Sequence, residues 1–268
     1  MKTITWLAPG DGAEWFPPIE RALDDPPGLL AAGGDLSTRR LVAAYRRGIF
    51  PWYSQGQPVL WWCPDPRAVL FPAEFRRTRS LAQSERNRGY EVRLDTAFEA
   101  VIDACAAPRR SGPGTWITRE MRAAYCELHA QGRAHSIETW QGGQLVGGLY
   151  GVQLGRAFFG ESMFSEQRDA SKVALSALVR VSLESGIELI DCQLASRHLA
   201  SLGSRSIPRE TFTGLLQRLA APQLADAWPA KAGGRVRSPG APDSPGTPLG
   251  ALPAGQVTPE PAGSSGIR

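Results

Sequence analysis

From about residue 90 the chain alternates between two hydrophobic periods. Residues 90–94 repeat apolar and polar positions with period two, as a half-buried strand does. Residues 96–106 place Phe98, Val101, Ile102 and Cys105 at the spacing of one helix face. A second helix is predicted over 118–131, capped by Thr118 and stopped by Gly132. Strands follow over 135–140, 144–152 and 156–160, with Gly142-Gly143 and Leu154-Gly155 forming the tight turns between them. The pattern then predicts a helix over 169–185, a buried strand over 188–193 and a final helix over 209–219.

The first 80 residues have a different texture. Phe16-Pro17-Pro18 and Pro26-Pro27-Gly28 mark turns, and Gly33-Gly34-Asp35-Leu36-Ser37 leads into a helix. Leu41, Val42, Ala44 and Tyr45 form its apolar face, and Gly48 stops it. Aromatic runs follow, Ile49-Phe50-Pro51-Trp52-Tyr53 and Leu60-Trp61-Trp62, of which Trp61 and Trp62 read as core. Residues 229–268 are Pro, Gly, Ser and Ala with few large apolar side chains, so they cannot offset their ordering entropy and are expected to be disordered. The order of meander, helix and further strand is that of acyltransferases of the GNAT type. The expected fold is therefore α+β: a small N-terminal lobe (1–80), then a GNAT-like acyltransferase domain (81–228) whose mostly antiparallel sheet is flanked by helices.

Composition narrows the partners. Of 268 residues, 42% are hydrophobic, enough for a substantial core, and the net charge is +4. Lysine occurs only at Lys2, Lys172 and Lys231, so the cations are nearly all arginine, the better fork for phosphate oxygens. Cys63, Cys105, Cys126 and Cys192 are scattered, and with His129, His135 and His198 they complete no zinc spacing, so no metal is expected. Acids at Asp11 and Glu14 argue against a secretory leader. No apolar run reaches the roughly 20 residues that span a bilayer. A cytoplasmic protein with no membrane partner is expected.

Two acids stand out. Glu161, in Phe159-Gly160-Glu161-Ser162-Met163-Phe164-Ser165, and Asp191, in Ile190-Asp191-Cys192-Gln193, each follow an apolar, strand-like run and open into a loop. Buried carboxylates are costly unless paired or used, so the two suggest a reaction centre at adjacent strand ends. The plainer alternative is that each caps a turn or helix. A CoA-dependent acyltransferase needs a glycine-rich, phosphate-gripping loop before the helix at 169. Here that stretch, Ser165-Glu166-Gln167-Arg168-Asp169-Ala170-Ser171-Lys172, has no glycine and carries two acids. No cofactor is expected, and the acyl donor should be something other than CoA.

Several motifs in unbroken order carry a resemblance. Gly33-Gly34-Asp35-Leu36, Tyr45-Arg46-Arg47-Gly48-Ile49-Phe50-Pro51-Trp52 and Trp61-Trp62-Cys63-Pro64-Asp65-Pro66-Arg67 resemble the leucyl/phenylalanyl-tRNA–protein transferases. So do Gly114-Thr115-Trp116-Ile117-Thr118, His135-Ser136-Ile137-Glu138, Gly147-Gly148-Leu149-Tyr150-Gly151-Val152 and the two segments holding Glu161 and Asp191. The resemblance runs from about Phe16 to Leu219. It implies transfer of leucine or phenylalanine, with methionine as a further donor, from aminoacyl-tRNA to the α-amine of a protein beginning with Arg or Lys. That marks the protein for N-end-rule degradation. An aminoacyl ester is already activated, and an α-amine with a pKa of about 7.7–8.0 is partly neutral near pH 7, so positioning counts for more than base strength.

The resemblance also implies site residues. Asp191 and Gln193 fall at the reaction centre and, two residues apart, lie on the same face of a strand. Gln193 could then hold the incoming amine or the carbonyl, while Asp191 orients Gln193 and takes up positive charge. A neutral amide is a very poor base, so Asp191 and Glu161 are expected to bind the cationic N-terminus and stabilise charge. Leu149, Phe158, Leu178 and Ile190 are expected around the aminoacyl side chain. Trp52, Trp116 and Tyr125 should hold the terminal adenosine by stacking. Arg39, Arg40, Arg46, Arg47, Arg76, Arg77 and Arg79 are expected to form the acceptor-stem footprint of a monomer. The competing readings are a peptidyltransferase using the same donor with another acceptor, and a tRNA-binding module without catalysis.

Overall fold

A computed structural model of the chain describes residues 2–8, 10–107, 116–229 and 235–236. In the first part, β1 (Thr5–Leu7), β2 (Leu29–Gly33), β3 (Phe50–Pro51) and β4 (Leu60–Trp62) form a sheet of order β1-β2-β4-β3. Helix α1 (Thr38–Arg46) starts at Ser37, whose hydroxyl accepts from the Arg40 amide. Its buried face carries Leu41, Ala44 and Tyr45, with Val42 half-buried. Gly48 ends the helix at φ 73°, and a Cβ there would come within 2.8 Å of the Phe212 ring.

The second sheet has the order β11-β5-β10-β9-β8-β7-β6-β12. Its central strands are β7 (Ala134–Gln141), β8 (Gln144–Leu154) and β9 (Ala157–Ser165), an antiparallel meander. Strand β10 (Leu189–Gln193) lies parallel to β9, reached through helix α5 (Ala170–Ser185). The flanking strands are β5 (Arg67–Leu70), β6 (Glu91–Leu94), β11 (Arg205–Ile207) and β12 (Arg235–Val236). Helices α2 (Arg79–Asn87), α3 (Phe98–Ala106), α4 (Arg119–Ala130), α6 (Arg197–Ser201) and α7 (Arg209–Leu219) complete the fold. A mixed α+β fold with a largely antiparallel sheet is what the pattern predicts. Thr118 caps α4 as expected, accepting from the Met121 amide.

The sheet separates two cores. On one face α1, α3, α4 and α7 pack Leu41, Tyr45, Val101, Met121, Tyr125 and Phe212 together. On the other, α2 and α5 pack Leu81, Val173, Ala174 and Leu178 against Leu149, Phe158 and Ile190. Each large apolar side chain buried in this way contributes roughly 1.5–3 kcal/mol.

The structure departs from the pattern at several points. β5 lies within the segment read as the first lobe but belongs to the large sheet, between β11 and β10. β9 runs on to Ser165, so Glu161 sits inside a strand rather than where a loop opens. Helix α2 went unread because Leu81 is the only large apolar side chain in its sequence. Within the segment expected to be disordered, Arg235 and Val236 pair with Arg93 and Val92 of β6. The rest of that segment beyond Pro229 lies outside the described residues, as do Gly114 and Thr115.

Candidate active site

Two β-bulges face each other across β9 and β10. Against β8, Tyr150 pairs with Ser162 and Gly151 with Gly160, so Glu161 is the extra residue of β9. Against β5, Asp191 pairs with Val69 and Gln193 with Ala68, so Cys192 is the extra residue of β10. Bulges re-aim side chains, and these two turn a regular sheet into a site. Gly151 permits the first: a Cβ there would lie 2.2 Å from the Phe159 carbonyl oxygen. In the second, Gln193 takes φ 61°, a left-handed value unusual for a residue with a side chain. The expectation that Asp191 and Gln193 share one face of a regular strand therefore fails at the bulge.

Glu161 ends a hydrogen-bonded chain that begins in α1. The Tyr45 and Tyr125 hydroxyls are 2.6 Å apart, and Tyr125 donates to Glu161 Oε2 at 2.7 Å. Gln193 Nε2 donates to Glu161 Oε1 at 3.0 Å, which turns the Gln193 carbonyl oxygen away from Glu161. Burial raises the Glu161 pKa to about 7; its hydrogen bonds from Tyr125 and Tyr45 oppose the rise and the charge of Asp191 adds to it. Near neutral pH this carboxyl can give or take a proton.

Asp191 is held differently. Arg67 grips it with two bonds, Nε to Oδ1 at 2.8 Å and Nη2 to Oδ2 at 2.6 Å, while Arg67 Nη1 donates to the Gly48 carbonyl at 3.0 Å. The guanidinium lies between the Phe50 and Phe212 rings, 4.7 Å from each centroid. Asp191 Oδ1 also accepts from the Gln193 backbone N–H at 2.9 Å. Both charges are fully buried. Burial pulls the Arg67 pKa down, but its pairing with Asp191 more than restores it, so Arg67 stays charged. The Asp191 carboxylate, expected to receive a cationic amine and to orient Gln193, is paired with Arg67 and meets Gln193 at its backbone N–H.

A cavity of about 250 Å³ opens over these bulges. Its polar end is Glu161, Asp191, Cys192 and Gln193; its apolar wall includes Leu149, Phe158, Leu178 and Ile190, the four side chains expected there. Met163, Leu175 and Leu199 complete that wall, and Trp116 lines it too. Leu175 stands one helical turn from Leu178, a spacing that could have revealed it. Burial, then Asp191, pushes the Cys192 thiol up to about 12, so it is no nucleophile. His198 also lines the cavity, its pKa held below the usual value by burial and then Lys172.

The aromatic and basic residues divide. Tyr125 is completely buried, so it offers no face to an adenine and instead orients Glu161. Trp52 is exposed and packs 5.6 Å from Trp62, outside the cavity lining. Trp61 is core, donating to the Gly33 carbonyl. Arg40 is fully buried, donating to Asp35 and to the carbonyls of Trp15 and Asp11, so it cannot meet a phosphate. Arg47 is half-buried and donates to the carbonyls of Phe16 and Pro17. Arg77 pairs with Glu85 and Arg39 with Glu14. Arg39, Arg76, Arg77 and Arg79 are exposed, and Arg46 is half-buried.

Arg67 and Tyr45 were missed as site residues. An arginine heading an apolar run, and a phenol on an apolar helix stripe, each need a buried partner, and that is the signal they carried. Asp95, His129 and His135 also gather within 4.8 Å, away from the cavity lining. Both Asp95 oxygens are occupied there, by the Ser136 amide, His135 and Trp228.

Comparison with known proteins adds to this geometry. The family profile described as leucyl/phenylalanyl-tRNA protein transferase matches residues 69–217, and that of the family's N-terminal domain matches 34–65. The leucyl/phenylalanyl-tRNA–protein transferase of Pseudomonas paraeruginosa is 58% identical over 215 residues, spanning 80% of this chain and 94% of the relative. That of an Azoarcus species is 61% identical over 215 residues, with 80% and 90% covered. That of Chromobacterium violaceum is 54% identical over 226 residues, with 84% and 96% covered. The solved structure of L-PGS from Bacillus licheniformis matches with a TM-score of 0.34 at 11% identity over 58% of this chain and 50% of the other, too distant to bear on the fold.

Proposed function

The chain belongs to the leucyl/phenylalanyl-tRNA protein transferase family, and from that premise we propose that it moves leucine or phenylalanine from aminoacyl-tRNA to the N-terminal α-amine of proteins beginning with Arg or Lys. Methionine is a third donor. The protein works in the cytoplasm as a monomer within the N-end-rule pathway, on a GNAT-like domain. Among the described residues no helix is long and apolar enough to cross a membrane.

One observation carries the reading: an apolar cavity of about 250 Å³ ends in the Glu161–Gln193 pair. The cavity takes an apolar aminoacyl side chain against the aliphatic and aromatic carbons of Leu149, Phe158, Leu178 and Ile190. With the side chain seated, the ester carbonyl lies toward the polar end. The Gln193 carbonyl oxygen accepts from the incoming amine, and Glu161 draws in its cationic form. The bound ammonium first releases one proton to solvent. The neutral amine then attacks the ester carbonyl, forming the N–C bond as Glu161 takes a second proton from the nitrogen. The ester C–O bond breaks as Glu161 passes that proton to the ribose oxygen. A carboxyl with a pKa near 7 suits both transfers at neutral pH. Trp116 and Trp52 are left as stacking partners for the 3′ adenosine.

The deciding assay mixes the protein with leucyl-tRNA and two peptides that differ only in an N-terminal Arg or Met. Transfer to the Arg peptide alone is the expected result. No transfer to either overturns the reading.

A further inference from the structure

We propose that Arg67 is a positioning residue for acyl transfer: its fork on Asp191 fixes the β10 bulge, and the bulge aims Gln193. The inference rests on the reaction assigned above but depends on separate geometry. Arg67 never reaches the cavity lining; it acts through Asp191, which it holds by two bonds of 2.8 and 2.6 Å. Asp191 Oδ1 then has one remaining task, accepting the Gln193 N–H at 2.9 Å. That bond holds Gln193 at φ 61°, where an ordinary strand residue would not stay unaided. From this backbone Gln193 Nε2 meets Glu161, and its carbonyl oxygen is left for substrate.

The remaining contacts of Arg67 make the fork rigid. Phe50 and Phe212 clamp its plane from both sides, and the third nitrogen donates to the Gly48 carbonyl just past the end of α1. The position of Gln193 is thereby tied to the N-terminal lobe and to α7, neither of which supplies it. Lysine cannot substitute, because a point charge on a flexible stem gives neither the planar fork nor the stacked face. A buried ion pair is weak evidence for stability by itself, so its presence here is better explained by orientation.

The test compares Arg67→Lys, Gln193→Ala and the double variant, each as the full chain. Transfer of leucine from leucyl-tRNA to an Arg-peptide is measured per folded molecule, together with backbone hydrogen exchange at Gln193. Arg67→Lys is expected to lower kcat at least tenfold, with the KM for leucyl-tRNA changed less than twofold, and to speed Gln193 amide exchange at least tenfold. Because Arg67 acts through Gln193, the double variant should lose no more than Gln193→Ala alone. A purely structural role would reduce only the folded fraction, and its effect would multiply with that of Gln193→Ala. Either an undiminished kcat or a multiplicative loss overturns the proposal.

If Arg67→Lys does not fold, Arg67→Met combined with Asp191→Asn removes both buried charges and allows the same comparison with Gln193→Ala added. Undiminished kcat there overturns the proposal equally. Hydrogen exchange does not depend on the reaction. If the wild-type protein transfers nothing, the functional reading fails, while unchanged exchange in Arg67→Lys sinks the positioning claim.

Discussion

Glu161 and Asp191 are both buried carboxylates within one site, yet their partners give them opposite characters. Asp191 faces a guanidinium and serves as an anchor. Glu161 faces uncharged donors, and the hydrogen bonds of Tyr125 and Tyr45 only partly offset its burial. Its folded pKa of about 7 lies above the ordinary value of 4.5, so ionising Glu161 costs the folded state. The protonated form's advantage is complete below about pH 4.5 and is lost as pH rises through 7, a difference on the order of 3 kcal/mol. Glu161→Gln should therefore gain melting temperature relative to wild type on going from pH 5 to pH 8, as calorimetry at the two pH values can check. The same variant should lose the activity inflection near pH 7. Tyr125→Phe removes one donor to the ionised form, so that inflection should move upward and activity at pH 7 should fall about tenfold, given roughly 1.5–3 kcal/mol for a bond to a charged group. A pH–rate profile of both variants tests the pair.

At the scale of elements, the site depends on bulges placed side by side in β9 and β10. The first requires Gly151. A methyl group there would run into the Phe159 backbone oxygen at 2.2 Å and the Phe158 ring at 2.5 Å, so Gly151→Ala should cost about 2 kcal/mol or more and disturb Glu161. Urea unfolding measures the first effect and the pH–rate profile the second. Helix α5 forms the opposite wall of the cavity through Leu175 and Leu178. Leu178→Ala should destabilise by about 2–5 kcal/mol and enlarge the cavity, favouring phenylalanine over leucine in competition between the two aminoacyl-tRNAs. The periodicity of β8, α5 and β10 was legible because each buries a continuous apolar run. The bulges were not, since an inserted residue leaves no mark in composition. Glu161 and Gln193 were therefore picked out, but the way they meet was not.

Across the whole molecule, the candidate site gathers side chains from elements far apart in the chain. Tyr45 comes from α1, Arg67 from β5, Tyr125 from α4, Glu161 from β9 and Asp191 from β10. The arginines divide by the same tertiary logic. Arg39 and Arg79 are exposed and open to phosphate, whereas Arg40 is sealed under Asp35 and two carbonyls. Arg39→Ala and Arg79→Ala should each weaken tRNA binding and reduce the slope of log K against log salt by about 1. Arg40→Ala should leave that slope unchanged and lower the melting temperature. A salt titration of tRNA affinity on the three variants distinguishes them.

The sequence by itself determined most of the helices and strands beyond residue 90 and singled out the two acids, while the apolar wall of the cavity and the amide at its end were implied by the family resemblance. The elements follow from periodicity and the acids from the cost of burying charge; the wall and the amide follow from motifs contiguous in the chain that carry the resemblance. Only the tertiary structure decided what each polar group is paired with. Arg67 and Asp191 are 124 positions apart, and Tyr45 and Tyr125 are 80. A local pattern records that a side chain is buried or charged, but not which distant partner neutralises it. That choice of partner made Asp191 an anchor and left Glu161 able to exchange a proton near neutral pH.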